Sequence, residues 1–416
     1  MDVLNVCHDV IQNVLLKNDD FATSLKIYCV DKERDYKNVV SSLCGIYFRN
    51  FFLINEFLKE WKISKESEEG IAVGLCFANN SFRHYENDSK VLENLYSLLE
   101  TKKFNLTGDF KNCLTDLIVL RRKYKFKKPI HGLIDNVSIK YNLPSWVLKV
   151  LTKQFGKEKG LEIAHNLSSM PKQYASLQFK KKIEDQNALK NFDLIDGDIY
   201  LFKGASSIKK EEIIYNNLLY PTQLQTIQVF SKVPCEKHSN YSMIIDKKDT
   251  IVYDFIKHFY DKSNKLNILS SNLKSNFQIF DKVRGMRRKN IFSQEAQSGE
   301  LCAIFNEKQK AILYSPKSSD IESFRRKPEY GCFFDSGNLD NYINSMKKGI
   351  IEVSEYIDNN GYLIYYVPTI NGKETVKIKE YFLENKGEEF ELVDEKQFLP
   401  NEKENSLLYC AIFRRK

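Results

Sequence analysis

Apolar positions recur at helical spacing through the first 120 residues. Val3, Val6, Cys7, Val10, Ile11, Val14 and Leu15 form one stripe, and Val39, Leu43, Ile46, Tyr47, Phe51, Ile54 and Leu58 form another. Each stripe gives a helix one apolar face, so residues 1–120 are expected to be helical with the stripes as core. A basic stretch, Arg121-Arg-Lys-Tyr-Lys-Phe-Lys-Lys128, follows, and Pro129 and Gly132 mark a shift in composition. Pro144-Ser-Trp146 then opens a second helical segment, with Val147, Val150 and Leu151 along it. Trp146 is expected to be a packing anchor rather than a platform for a base.

From about residue 215 short apolar runs replace the helical period. Ser242–Ile245, Leu266–Leu269, Ala311–Leu313, Tyr362–Tyr366 and Leu407–Phe413 read as strands, separated by segments long enough for crossover helices. Two runs end abruptly in Pro-containing turns: Ala311-Ile-Leu-Tyr-Ser-Pro-Lys-Ser-Ser319 and Gly361-Tyr-Leu-Ile-Tyr-Tyr-Val-Pro-Thr-Ile370. That pattern suits buried parallel strands delivering loops to the carboxyl edge of an α/β sheet, the edge at which such folds place their chemistry.

The length of 416 residues predicts two or three domains, and 42% apolar with 13% aromatic residues is ample for their cores. There is no uninterrupted apolar stretch of about 18 residues and no signal-peptide pattern at Met1, so the expectation is a cytoplasmic protein without a membrane partner. The nine cysteines are scattered without Cys-x-x-Cys pairs, and the six histidines do not cluster with them. Neither a disulfide framework nor a metal site is expected.

Charge is unevenly divided. Residues 1–120 hold 14 Lys and Arg against 18 Asp and Glu, a net of −4, so residues 121–416 carry +12 of the total of +8. The basic clusters are Arg121, Arg122 and Lys123 with their neighbours, Lys180-Lys-Lys182, Arg284 with Arg287, Arg288 and Lys289, and Arg325-Arg-Lys327. Such clusters suit phosphate contacts, or else a solvated Lys-rich surface. Nothing in them indicates DNA specificity.

The two strand ends, the Phe324-Arg-Arg-Lys-Pro-Glu329 segment and the closing Ser406-Leu-Leu-Tyr-Cys-Ala-Ile-Phe413 together resemble the C-terminal third of the RsmB/NOP (Sun/Fmu) family of S-adenosylmethionine-dependent ribosomal RNA cytosine-C5 methyltransferases. Lys32-Glu-Arg-Asp-Tyr36 and the apolar stretch Val39–Phe57 are similar to the NusB-type helical domain that begins bacterial RsmB proteins. Tyr141-Asn-Leu-Pro-Ser-Trp-Val-Leu-Lys149 resembles the family's Pro-Ser-Trp-Leu helix, and Asp198-Ile-Tyr-Leu-Phe-Lys-Gly204 the strand before its catalytic domain. The resemblance implies a multidomain protein: an all-α NusB-like domain (1–128), a small α+β linker or RNA-binding subdomain (129–214) and an α/β Rossmann-like methyltransferase-type domain (215–416).

It also implies that the chemistry has been lost. Cytosine C5 is too weak a nucleophile to attack a sulfonium methyl, so such enzymes first add a thiolate to C6. The family carries that thiol in a Thr-Cys-Ser loop, a second in a Pro-Cys-Ser loop, and an acid two residues before the latter's proline. Here those positions hold Pro368, Lys317 and Tyr314. Proline offers no nucleophile, an amine is protonated at neutral pH unless desolvated, and a phenol does not reproduce a carboxylate. No other cysteine is expected to substitute: Pro234-Cys235 lies before the first strand, Cys302 before the Ala311 strand, Cys332 beyond the Arg-Arg-Lys-Pro segment, and Cys410 within the last strand.

The cofactor positions are altered too. Where the family has a glycine-rich turn after its first strand, this chain has Ile244-Ile-Asp-Lys-Lys-Asp-Thr250, without glycine. The corresponding pocket positions would be Asp246, Lys247, Lys248, Ser271 and Glu295. Asp246 and Asp249 can be read as replacement acids or as a charged surface turn. No cofactor is expected, with S-adenosylmethionine the candidate if the pocket remains competent.

Three functions stay open on sequence: a noncatalytic protein binding small-subunit ribosomal RNA; a divergent methyltransferase acting on an exocyclic nitrogen or ribose oxygen; and a transcription or ribosome-assembly protein engaging a protein partner through the NusB-like domain. Arg121, Arg122, Lys123, Arg287, Arg288, Arg325 and Arg326 are the expected RNA contacts.

Overall fold

The computed structural model describes residues 3–17, 20–82, 112–113, 116, 133–169, 172–177, 183, 186–204, 208, 211–215, 218–246, 251–270, 291–294, 305, 307–327, 329–333, 336–400 and 407–416. The chain divides into two units: residues 1–169 with 323–335, and residues 170–322 with 336–416.

In the first unit every described element is helical: Val3–Lys17, Phe21–Tyr28, Arg34–Arg49, Phe51–Glu60, Glu68–Phe82, Leu133–Tyr141, Ser145–Phe155 and Lys157–Ser168, with two short helices, Ser323–Arg326 and Tyr330–Phe333. The apolar stripes form its core. Val6, Cys7, Val10, Ile11, Val14, Leu43, Tyr47, Phe51, Ile54 and Leu58 are buried, with Val3, Leu15, Val39 and Ile46 packed at the margin. The second stripe is broken between Arg49 and Phe51, although its apolar spacing runs on. Asn50 makes the break by donating its side-chain amide to the Ile46 carbonyl (2.8 Å), a local bond that competes with helix continuation. Trp146 packs edge-on against Phe324, ring centroids 6.2 Å apart, as an anchor should.

Among the described residues the second unit contains two sheets. The smaller is antiparallel, in the order β2–β3–β1–β4, built from β1 (Gln173–Leu177), β2 (Phe192–Asp196), β3 (Ile199–Phe202) and β4 (Leu219–Thr222). Gly197 turns its β2–β3 hairpin at a φ of +51°, a conformation that disfavours any residue with a Cβ.

The larger sheet has seven strands in the order β10–β11–β9–β8–β5–β6–β7. They are β5 (Asn240–Ile245), β6 (Lys265–Ser270), β7 (Ile291–Gln294), β8 (Gln309–Ser315), β9 (Ile357–Val367), β10 (Phe390–Phe398) and β11 (Leu408–Arg415). Strands β5 to β9 are mutually parallel, whereas β11 runs antiparallel to β9 and β10 antiparallel to β11. Alternation along each central strand feeds two cores. Ala311, Leu313, Ile364, Tyr366, Cys410 and Ile412 face one side with helices Leu224–Phe230 and Ile251–Phe259. Ile312, Tyr314, Leu363, Tyr365, Val367, Tyr409 and Phe413 face the other, against Leu339–Ser354 and Val376–Lys386. Period-2 burial on both faces is what makes these strands near-continuous apolar runs.

No helix among the described residues is long and apolar enough to cross a membrane.

Candidate functional site

Strands β8 and β9 are hydrogen-bonded neighbours with Tyr314 opposite Tyr365, so their carboxyl ends lie side by side. The loops leaving them, 316–322 and 368–375, therefore meet at one point on the sheet edge. Ser319, Thr369, Glu374 and Thr375 are completely buried there.

Glu374 ties the two loops together. Its Oε1 accepts the backbone N–H of Ser319 (2.6 Å), and its Oε2 accepts the Ser319 hydroxyl and that of Thr369 (3.2 Å). Ser319 Oγ and Thr369 Oγ1 lie 2.9 Å apart. The Tyr365 hydroxyl donates to the Glu374 carbonyl (2.7 Å), fixing the backbone that carries the carboxylate. Burial pushes the Glu374 carboxyl above the usual carboxylate range, opposed by the donors from Ser319 and Thr369. A second tie runs through Glu322: its N–H donates to the Pro368 carbonyl (3.3 Å), and its Oε2 accepts the Leu407 N–H (2.8 Å) at the start of β11. Between these, Asp320 adopts a φ of 48°, a left-handed conformation that aspartate tolerates better than most residues.

The three positions that the resemblance aligns with catalytic residues have separate surroundings. Tyr314 turns into the core against Gly349 of the helix Leu339–Ser354, where a Cβ on Gly349 would stand 1.9 Å from the phenol oxygen. Burial raises its pKa, with Glu352 and Asp246 adding to the effect. Lys317 is exposed, its ammonium 5.3 Å over the Tyr342 ring. Pro368 is buried beneath the Glu322 tie. Such an arrangement positions backbone and loops; the carboxylate's oxygens are already engaged, and no described side chain at either strand end is a thiol.

The close fit of Tyr314 on Gly349 is testable. Gly349→Ala is expected to cost about 1–3 kcal/mol by overpacking, with part of the loss recovered when Tyr314→Phe removes the phenol oxygen. A double-mutant cycle from urea unfolding measures that coupling, and strict additivity would count against the contact.

Of the other predicted residues, Asp246 follows β5 and donates its N–H to the Ser315 carbonyl (3.2 Å). Arg325 and Arg326 lie in the short helix Ser323–Arg326 of the first unit. Lys247, Lys248, Ser271, Glu295, Arg121, Arg122, Lys123, Arg287 and Arg288 fall outside the described residues. Of the cysteines weighed as substitutes, Cys235 is exposed, Cys410 is buried within β11, and Cys332 packs against the helical core of the first unit. Cys302 is outside the described residues. Among the described residues no group of three or more His, Cys, Asp or Glu could hold a metal ion.

Sequence reasoning missed Glu374. In Asn371-Gly-Lys-Glu374 it has the appearance of a solvated turn, and only strand order brings it beneath Ser319.

The sequence matches no protein-family model and no curated protein. Solved structures do match. The protein PH0851 is 11% identical and aligns over 100% of this chain and 99% of its own, with a TM-score of 0.75. A methyltransferase homolog protein from Pyrococcus horikoshii is 10% identical over 69% of this chain and 100% of its own, at 0.57. NSun6 from Pyrococcus horikoshii is 9% identical over 66% of this chain and 98% of its own, at 0.54. These likenesses establish the fold: the chain has the Rossmann-like architecture of solved methyltransferase homologues.

Proposed function

We propose that this chain is a ribosomal-RNA-binding protein of the RsmB type that has kept the scaffold of a cytosine-C5 methyltransferase and lost its chemistry. The observation that carries the reading is the pair of strand ends, where Lys317 and Pro368 stand in place of thiols and the buried Glu374–Ser319–Thr369 network ties the loops together. Among the described residues no thiol stands at this edge for a covalent route through C6. The three-part division at 128/129 and 214/215 belongs to the same reading, with a NusB-like first part available to a protein partner. So do the RNA contacts at Arg121, Arg122, Lys123, Arg287, Arg288, Arg325 and Arg326, with small-subunit ribosomal RNA as the target. The net +12 of residues 121–416 supports an anionic partner.

No bound S-adenosylmethionine is part of this reading. The turn after β5 lacks the glycines that let backbone amides approach a nucleotide-like ligand, and Asp246 at its start adds negative charge. Calorimetry with S-adenosylmethionine and S-adenosylhomocysteine, run beside an authentic RsmB-type enzyme, tests it. No heat and no thermal shift at millimolar ligand is the expected outcome. Micromolar affinity would overturn the loss of chemistry and direct attention to a target atom that needs no thiol.

A further inference from the structure

After the β8 loop the chain leaves the second unit. Residues 323–335 belong to the helical unit, and the chain returns to its sheet unit at Ser336. The excursion is anchored at four points within the helical unit. Phe324 packs edge-on against Trp146 and also against Tyr330, with ring centroids 5.3 Å apart in the second pair. Lys327 pairs with Asp20 at 3.5 Å. Cys332 packs against the helical core.

The fourth anchor is Glu329, only 3% exposed. Its carboxyl faces the Phe21 N–H at the start of the helix Phe21–Tyr28, and no described group bonds its Oε2. Burial raises its pKa to about 7, with Asp20 adding to the rise, while Lys327 and the N–H groups of Glu329 and Phe21 oppose it. Burial and the charge of Glu329 raise the pKa of the half-buried thiol of Cys332, with Lys65 as the opposing cation, and Cys332 in turn influences the buried phenol of Tyr47. A carboxylate here faces the Asp20 carboxylate and the Cys332 thiol, and the cations that offset it, Lys327 and Lys65, are at the rim.

We propose that residues 323–335 form a proton-controlled clasp, docked on the helical unit while Glu329 is protonated and released from it when Glu329 ionises. The docked state holds the proton more tightly than the free segment, so docking is strongest below the ordinary glutamate range and weakens as pH rises through neutrality. Between a free value of 4.5 and a docked value of about 7 the docking equilibrium falls by roughly 300-fold. Release would free a segment that carries Arg325 and Arg326 and continues directly from the β8 loop. The clasp does not rest on RNA binding.

The chain has two tryptophans, so Trp61→Phe leaves Trp146 as the single reporter of Phe324 docking. Its emission, followed from pH 5.5 to 8.5 at constant ionic strength, is expected to shift progressively to the red as pH rises while far-ultraviolet dichroism stays constant. Glu329→Gln should hold the blue-shifted emission throughout, and Phe324→Ala the red-shifted one. No shift, or a shift that persists in Glu329→Gln, overturns the clasp. Should Glu329→Gln fail to fold, trypsin cleavage after Arg325 and Arg326 in the unmodified chain decides. Normalised to a free peptide of the same sequence, cleavage is expected to rise about tenfold between pH 6 and pH 8; a pH-independent rate overturns the proposal.

Discussion

Glu374→Ala is expected to lower the unfolding free energy of the sheet unit by about 3 kcal/mol, more than any other single substitution at the strand ends. The carboxylate accepts one N–H and two hydroxyls, all from groups with no access to water. Its removal strands those donors, and each stranded buried donor costs roughly 1–3 kcal/mol before relaxation offsets part of the sum. Glu374→Gln keeps one acceptor oxygen and opposes the remaining donors with an amide N–H₂, so about half the loss is expected from it. Thr369→Val should cost less again, because the Ser319 N–H and hydroxyl keep the carboxylate as their acceptor. Urea unfolding measures the totals, and hydrogen exchange at the Ser319 amide reports the site directly. An alanine variant within about 0.5 kcal/mol of the parent, with Ser319 still protected, would mean that the carboxylate does not tie the loops.

That residue also marks the boundary of what a sequence exposes. Strands β8 and β9 are legible because both faces of each are buried: Ala311–Tyr314 and Leu363–Val367 have no reason to contain a polar residue. The stripe at Val6, Val10 and Val14 is legible for the corresponding helical reason. Strand β10 is not. It pairs on one side only and places Glu391, Leu392 and Val393 in solvent between Phe390 and Phe398, so its pattern is that of a charged loop. The break at Asn50 depends on one side-chain bond within an unbroken apolar period. The excursion of residues 323–335 into the helical unit is set by tertiary contacts alone; Phe324-Arg-Arg-Lys-Pro-Glu329 carries no local sign of which unit it joins. Glu374 combines both difficulties, being a charged residue near a glycine whose partner, Ser319, is 55 positions away in the chain.

The strand ends also bear on the three positions that the proposed function takes as altered. A thiol in a catalytic loop needs room for a substrate base and an environment that lowers its pKa. Here the space under the loops is taken by a carboxylate, two hydroxyls and the Tyr365 phenol, bonded to one another and to backbone. Tyr314, where the resemblance implies an acid for the base, instead fills the core at Gly349. Placing cysteines at 317 and 368 would leave that packing as it is, and no C5 transfer is expected from such a variant.

RNA affinity provides the remaining large effect. With about four phosphates neutralised, affinity for a small-subunit ribosomal RNA fragment should fall roughly a hundredfold between 50 and 200 mM salt, since each contact releases close to one condensed counterion. Arg325→Ala combined with Arg326→Ala should weaken binding at low salt and reduce the logarithmic salt slope by about two, one for each guanidinium lost. The slope is the discriminating quantity, because a change that merely disturbs the helical unit alters affinity without altering how many ions are released. Filter binding or fluorescence anisotropy across the salt series gives both numbers. An unchanged slope in the double variant would return Arg325 and Arg326 to solvated surface. A parent protein whose binding hardly responds to salt would remove the phosphate-binding basis of the proposed function and leave the helical domain's protein partner as the reading to pursue.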